Sequence, residues 1–563
     1  MKTDRKTAFL GAWLIALLLP LLACAESLPE QAAIASADPL ATKAGMEILG
    51  QGGNAFDAAV AVGAALAVVE PASSGLGGGA FWLLHIEAED RNIFVDSREV
   101  APGAATADMY LDKQGEPRPH ASLDGPLAAG IPGQPAGLVF LADRYGRLPL
   151  AQSLAPAIRY AENGFSASRR TLMGLRFRSR AYEQWPAFAK VFLPDGEIPE
   201  TGTVIRQPDL ARTLQRLADN GFDGYYRGET SKLLVDGVRD AGGIWTADDL
   251  ANYKVIEREP IVAENRGVRI ISAPPPSSGG IALANMLHVL AGFDLQAMDS
   301  ATRKHLIIEA MRRAYRDRAK YLGDPDFVDI PVARLTHPYY AAGQRGSIRT
   351  DQATRSTSLA GIWPKQSGGT QTTHFSVLDS EGNRVAATLS INTWYGSGFM
   401  PPGTGVILNN EMDDFVIKPA TPNEYELIGT TANEIAPGKR MLSSMSPTFL
   451  ESDRGVAILG TPGGSRIITM VFLAGLEWMG GANASEMVGL KRYHHQFFPD
   501  EVVFEKGALS PDEQQGLTEM GHQLKESRRA FGNMNVVTWD YETGKVEAVT
   551  DPRGRGEEEV RVY

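Results

Sequence analysis

The chain runs in long apolar stretches separated by glycine-rich breaks, and each change of period marks a new element. Residues 33–69 contain a predicted buried helix: Asn54 offers its cap, Asp57 falls in the first turn, and "AAVAVGAALAVV" is almost wholly small and apolar. "PASSGLGGGAFWLLHI" ends that helix and leads into strands that finish near "NIFVDSRE". Residues 126–253 read as mostly helical, opened by the turn "GIPGQPAGL". A second strong helix is predicted over 300–323, with Ile307, Met311, Ala314 and Leu322 on one side and its arginines read as a solvated face. Periodicity lapses over 343–371, which marks an exposed connection, and the chain after Thr372 is rich in strands and glycine through "ILGTPGGSRI". Helix, glycine loop and strands in this order imply a layered α/β or α+β body.

One hairpin stands out. "THFSVL" and "RVAATLSIN" flank the turn "DSEGN", with Gly382 and Asn383 as turn formers. A register centred on Glu381 sets Thr372 opposite Ser390, and period-2 alternation puts Asn392 on the same face as Ser390. Two hydroxyls and an amide thus gather at one end of the hairpin.

Composition narrows the picture. With 43% hydrophobic and 22% charged residues, the 563-residue chain has the make-up of a globular protein, not a disordered one. Its net charge of −12 comes without a basic stripe, which argues against nucleic acid as the main partner. Lys2, Arg5 and Lys6 precede an apolar run over 8–22 and then "LLACAE", the layout of an export signal covering 1–25; the run is too short for a comfortable membrane anchor. Cys24, the only cysteine, fits either an A-x-A cleavage site after Ala25 or a lipoprotein box that would lipidate it. The expectation is a periplasmic protein, with a lipid tether through Cys24 as the second option, and a mature body without disulfides or thiolate chemistry.

Several motifs carry candidate chemistry. "GLGGGA" matches a dinucleotide fingerprint in letters only, since it follows a helix and opens a strand; a close backbone approach is the better reading. His494 and His495 lack a ligand pattern around them and read as structural. A threonine hydroxyl is a poor nucleophile unless a base takes its proton. Cutting the chain just before Thr372 would supply that base as the new α-amino group. "ILNNEMDDF" crowds Asn409, Asn410, Glu411, Asp413 and Asp414 into one loop suited to an ammonium group. Ser443 and Ser444 stand side by side, and Gly463 and Gly464 in "GTPGGSR" offer unhindered N–H groups for an oxyanion.

Taken together, "AGMEILGQGGNAFDAAVAVGAALAVVEP", "GLGGGAFWLL", "DSREVAPGAA", "PPPSSGG", "QTTHFSV", "GVILNNEMDDF", "KRMLSSMSPT" and "GTPGGSR" resemble the γ-glutamyltranspeptidase family across nearly the whole mature chain. The resemblance implies an α+β fold, the four-layer αββα sandwich of N-terminal nucleophile hydrolases. It also implies one precursor that cuts itself between Gln371 and Thr372 into a large subunit (26–371) and a small catalytic subunit (372–563), which stay together as a heterodimer. On the family pattern Thr372 is the nucleophile, and Ser390 stands where the family has a threonine that assists the new amino terminus. Arg98 grips the α-carboxylate of the γ-glutamyl group with help from Ser443 and Ser444. Asn392, Glu411 and Asp414 hold its α-amino group, Gly463 and Gly464 form the oxyanion pair, and Tyr425 belongs to a lid loop. The implied activity is γ-glutamyl transfer and glutathione hydrolysis, with amino acids or dipeptides as acceptors and neither a metal nor an organic cofactor. Two rivals stand beside it: a related acylase of the cephalosporin or glutaryl type, and a catalytically silent binding lipoprotein for glutamate-like ligands.

Overall fold

The computed structural model describes residues 28–194, 196–359, 372–419 and 421–563. The predicted export signal, Cys24 and Gln371 lie outside the described residues.

Two antiparallel sheets face each other. The first has seven strands in the order Glu557–Val562, Gln31–Ser36, Thr373–Leu378, Arg384–Ser390, Gly79–Ile86, Arg91–Ser97 and Ile256–Arg258. The second has six: Val546–Thr550, Asn535–Asp540, Gly455–Gly460, Thr448–Ser452, Val268–Ser272 and Ile261–Asn265. Both sheets therefore contain strands from either side of residue 372, and in the first sheet these strands interleave.

Period-2 alternation sorts the side chains of the first sheet between two cores. Trp82, Leu84, Val385, Ala387 and Leu389 point outward, onto the predicted helix Ala55–Val69 and its neighbour Pro39–Gly50. Phe81, Leu83 and Ala386 point inward, where they meet Phe449 and Ile458 of the second sheet. On the far side of that sheet lie Gly279–Leu290 and Ile467–Met479, with Ser300–Tyr321 packed against the former. The result is the expected αββα sandwich.

Local expectations hold where burial decides them. Every residue of Ala55–Val69 is buried, and Asn54 and Asp57 form a reciprocal capping box worth about 1 kcal/mol. The hairpin register is the predicted one: Leu378 pairs with Arg384 and Thr373 with Leu389, which brings Thr372 beside Ser390. The glycine loop is a close-approach device, because a Cβ at Gly77 or Gly78 would lie 2.0 Å from a backbone carbonyl oxygen, that of Ile407 or Ser390. His494 and His495 are structural as read: His494 bonds Thr469 and Gln496, both at 2.8 Å, and His495 bonds Asp500 at 3.2 Å.

One expectation fails. The arginines of the Ser300–Tyr321 helix are not a solvated face, because Arg312, Arg313 and Arg318 are all buried. The helix is covered on both sides, so its polar stripe faces other protein segments that supply counter-charges. The connection over 343–371 is described only as far as residue 359; past the helix Pro338–Arg345 it is mostly exposed, with Ser356 buried.

Candidate active site

Sheet register builds the site as one row. Thr372 stands at the start of one central strand, Ser390 at the end of the next, Gly79 pairs with Ser390, and Ala80 pairs with Ser97, which precedes Arg98. The opposing sheet contributes from the same end: Gly455–Gly460 runs into Gly463 and Gly464, and Ser443 and Ser444 precede Thr448–Ser452. These ends enclose a cavity of about 20 Å³ lined by Arg98, Thr372, Ser390, Asn392, Glu411, Asp414, Tyr425, Ser443, Ser444 and Gly464. Gly463 sits one residue behind the lining. Asn409, Asn410 and Asp413 of the acidic loop do not line it, whereas Glu411 and Asp414 of the same loop do.

Arg98 is the electrostatic centre. It is buried, with Nη1 2.9 Å from Glu411 Oε1 and Nη2 2.5 Å from Asp414 Oδ2. Burial, opposed by Arg98, pushes the Glu411 carboxyl up to about 7, and Asp414 is raised for the same reason. The sequence reading missed two further charges. Glu99 lies with its carboxyl 3.7 Å from Arg98, fully buried, and burial together with nearby Glu411 holds it well above the carboxylate range. Arg318 also lines the cavity; burial lowers it to about 10 while Asp414 pulls the other way, and its Nε donates to Ser278 Oγ at 3.1 Å. Its spacing was a usable signal, since 307, 311, 314, 318 and 322 fall on one helical stripe.

Several buried polar atoms here have no hydrogen-bond partner among the described residues: both carboxyl oxygens of Glu99, Glu411 Oε2 and Ser444 Oγ. Such atoms are costly to leave unpaired, so their clustering marks a place built to receive a polar ligand.

The remaining geometry fixes the walls. Asn392 adopts φ +70°, a left-handed conformation that asparagine tolerates better than most residues, and its Nδ2 donates to Asn410 O at 2.9 Å. Its own carbonyl accepts from Tyr425 Oη at 2.8 Å, which lays the ring across the cavity. Gly464 has φ +57°, and a Cβ there would meet the Tyr425 ring at 2.4 Å, so only glycine lets that tyrosine sit against this loop. Gln496 ties the two together, accepting from Ser465 Oγ at 2.6 Å and donating to Tyr425 O at 3.1 Å. Asp413 points away from the cavity and accepts from Ser122 Oγ at 2.7 Å and Glu424 N at 2.8 Å, anchoring the loop that carries Tyr425.

A hydroxyl at a strand start, facing an arginine and carboxylates between two stacked sheets with helices outside, defines an N-terminal nucleophile hydrolase. The γ-glutamyltranspeptidase family model matches residues 41–560, and the chain belongs to that family. It is 43% identical, over 88% of its length and 87% of the relative's, to a glutathione hydrolase proenzyme of Pseudomonas sp. (strain A14). A glutathione hydrolase proenzyme of Escherichia coli (strain K12) is 40% identical over 93% of this chain and 90% of that one. The crystal structure of a cephalosporin acylase from Bacillus halodurans superposes with a TM-score of 0.82 at 29% identity, covering 94% of this chain and 96% of that chain.

Proposed function

We propose that this chain is a self-processing γ-glutamyltransferase and glutathione hydrolase. The observation that carries the reading is one small cavity that gathers Thr372, Arg98, Glu411, Asp414 and Ser444, in which Glu411 Oε2 and Ser444 Oγ have no hydrogen-bond partner among the described residues. Arginine, acidic groups and serine hydroxyls in that arrangement suit both ends of a free amino acid, leaving its side-chain amide to face the threonine.

In the proposed mechanism the Thr372 hydroxyl first attacks the Gln371 carbonyl, and water then releases the upstream chain, freeing the α-amino group of Thr372. That amine takes the Oγ proton as the oxygen attacks the γ-carbonyl of the substrate. Gly463 and Gly464 stabilise the oxyanion, the C–N bond breaks, and the amine departs with the proton. Water or an acceptor amine then attacks the γ-glutamyl ester, the C–O bond breaks, and the proton returns to Thr372. Arg98 with Ser443 and Ser444 holds the α-carboxylate; Asn392, Glu411 and Asp414 hold the α-ammonium; Ser390 orients the amino terminus; Tyr425 shields the ester. The interleaved strands support a product in which the 26–371 and 372–563 segments remain one body. We also read residues 1–25 as an export signal and the protein as periplasmic, with lipidation of Cys24 as the variant that intact mass would reveal.

Denaturing electrophoresis and N-terminal sequencing of the purified protein test the reading. Two fragments, the smaller beginning at Thr372, are expected, and a Thr372→Ala variant remains one inactive chain. An uncut wild-type chain with full activity would overturn it. The acylase alternative draws on the superposed cephalosporin acylase, and the Asp414 prediction below separates the two.

A further inference from the structure

A second cavity adjoins the first across Tyr425. It has a volume of about 480 Å³ and is walled by Tyr425, by Trp394 just beyond Asn392, by Ser465 and Arg466 directly after the glycine pair, and by Arg528 and Arg529. The first cavity holds about 20 Å³ and lies around the groups that suit a glutamyl head. The amine half of any substrate has to lie elsewhere, and this larger space opens beside the same glycine loop.

Its charges are unusual. Arg466 is half-buried with its guanidinium 4.5 Å above the Phe531 ring, and Arg529 sits 5.1 Å over Phe177. Neither makes a close ion pair among the described residues, and the carboxylates of Glu426 and Glu501, which attract Arg466, act on it from longer range. Arg178 in the same wall is different, being tied to Asp124 at 2.8 Å. A guanidinium held over an aromatic ring keeps its charge and its N–H donors, which a carboxylate can use. Glu424 and Glu426 of the lid loop line the same cavity, which makes it bipolar and better suited to a zwitterion than to a polyanion.

We propose that Arg466, assisted by Arg529, binds the terminal carboxylate of the amine half of the substrate: the amino acid or dipeptide that leaves on acylation of Thr372, and the one that later accepts the acyl group. This rests on the transferase reading above and adds a specificity determinant to it. Arg466 immediately follows the glycine loop, so a carboxylate held there places the attached amine on the Tyr425 side of the ester.

The test compares two donors on processed enzyme carrying Arg466→Gln or Arg529→Gln. Glutathione leaves a dipeptide with a carboxylate, whereas γ-glutamyl-p-nitroanilide leaves an aniline without one. Arg466→Gln is expected to lower the ratio of kcat/KM for glutathione over the nitroanilide about tenfold, Arg529→Gln about threefold, and Arg466→Lys less than Arg466→Gln. With the nitroanilide as donor, KM for glycylglycine as acceptor rises about tenfold in Arg466→Gln, while glycylglycinamide serves wild type and variant alike. An equal fall for both donors would overturn the assignment, reducing Arg466 to a support of the glycine loop, and so would unchanged ratios. A wild-type enzyme inert toward both donors would instead overturn the parent reading, and this assignment with it.

Discussion

Two buried charge clusters draw on the same helix, Ser300–Tyr321, and differ in whether they are closed. In the first, Arg312 donates to Glu309 at 3.2 Å, to Ser356 Oγ at 2.6 Å and to Asp500, while Arg313 donates to Glu309 at 2.5 Å and Ser347 Oγ at 2.9 Å. Glu309 also accepts from Thr354 N at 3.0 Å, and against the upward push of burial the two arginines hold its carboxyl down at about 2. In the second, Arg98 and Arg318 face three carboxyls, all raised, with unpaired oxygens among them. The same residue types at the same depth thus make a staple in one place and a receptor in the other. What distinguishes them is unmet hydrogen-bonding capacity, and the direction of the carboxyl shift follows from it.

His305, Glu309 and His522 of the closed cluster lie near enough to one another to suggest a metal site. Their atoms are already engaged, however, since His305 Nδ1 bonds His522 Nε2 at 2.8 Å and Glu309 is saturated by arginine. Closure is the argument for structure there, as openness is the argument for binding around Arg98.

The largest expected effect breaks the closed cluster. Glu309→Gln leaves two buried guanidinium groups short of a counter-charge and should cost about 3–5 kcal/mol, read as a lower urea midpoint by tryptophan fluorescence. Glu411→Gln is the matched change in the open cluster. Because burial raises its folded pKa to about 7, ionised Glu411 at pH 8 lowers the stability of the empty protein relative to the unfolded chain, and a neutral amide should leave the midpoint unchanged or higher. Equal losses of stability in the two variants would erase the distinction.

Next in size, Asp414→Ala removes an ammonium acceptor and should lower kcat/KM for γ-glutamyl-p-nitroanilide roughly 100-fold, about 3 kcal/mol, mainly through KM. Turnover left intact would favour the acylase alternative. The pH profile is a finer probe. Ammonium binding requires ionised Glu411, which titrates near 7, and nucleophile activation requires the neutral α-amino group, which titrates near ~8. Below pH 7 two protons have to be shed, so log kcat/KM should climb with a slope approaching two. In Glu411→Gln only the amino terminus titrates, and the slope should fall to about one.

The sequence made the nucleophile row legible because strand alternation is rigid: a turn at Glu381 and a period of two fix the neighbours of Thr372, and the pairing of Thr373 with Leu389 follows. It made the acidic loop and glycine pair legible as motifs. The order of strands was beyond such reasoning, since Gln31–Ser36 pairs with Glu557–Val562 across almost the full chain length, and no local pattern encodes that. Arg318 was lost for a different reason. The arginines of that helix were read as a solvated face, but Arg318 falls on the apolar stripe and, of that stripe, is the residue that reaches the cavity. Glu99 was hidden likewise, as a glutamate beside an arginine in a strand-end motif, where exposure is the ordinary expectation.

The smallest effect sharpens the comparison most. Ser443 and Ser444 are adjacent, yet Ser443 Oγ already accepts from Met445 N at 3.1 Å while Ser444 Oγ is buried without a partner among the described residues. Removing a hydroxyl that serves the fold uncovers an unsatisfied N–H, and removing one that waits for a ligand uncovers nothing. Ser443→Ala should therefore lower the urea midpoint measurably, whereas Ser444→Ala should leave it unchanged or slightly raised. At the same time Ser444→Ala should raise KM for the γ-glutamyl donor roughly fivefold, about 1 kcal/mol, as expected for one lost bond to a carboxylate. Affinity lost without stability lost is the signature of an open cluster. If Ser444→Ala instead destabilises the protein and leaves KM alone, the unpaired atoms around Arg98 are a packing feature and not a receptor.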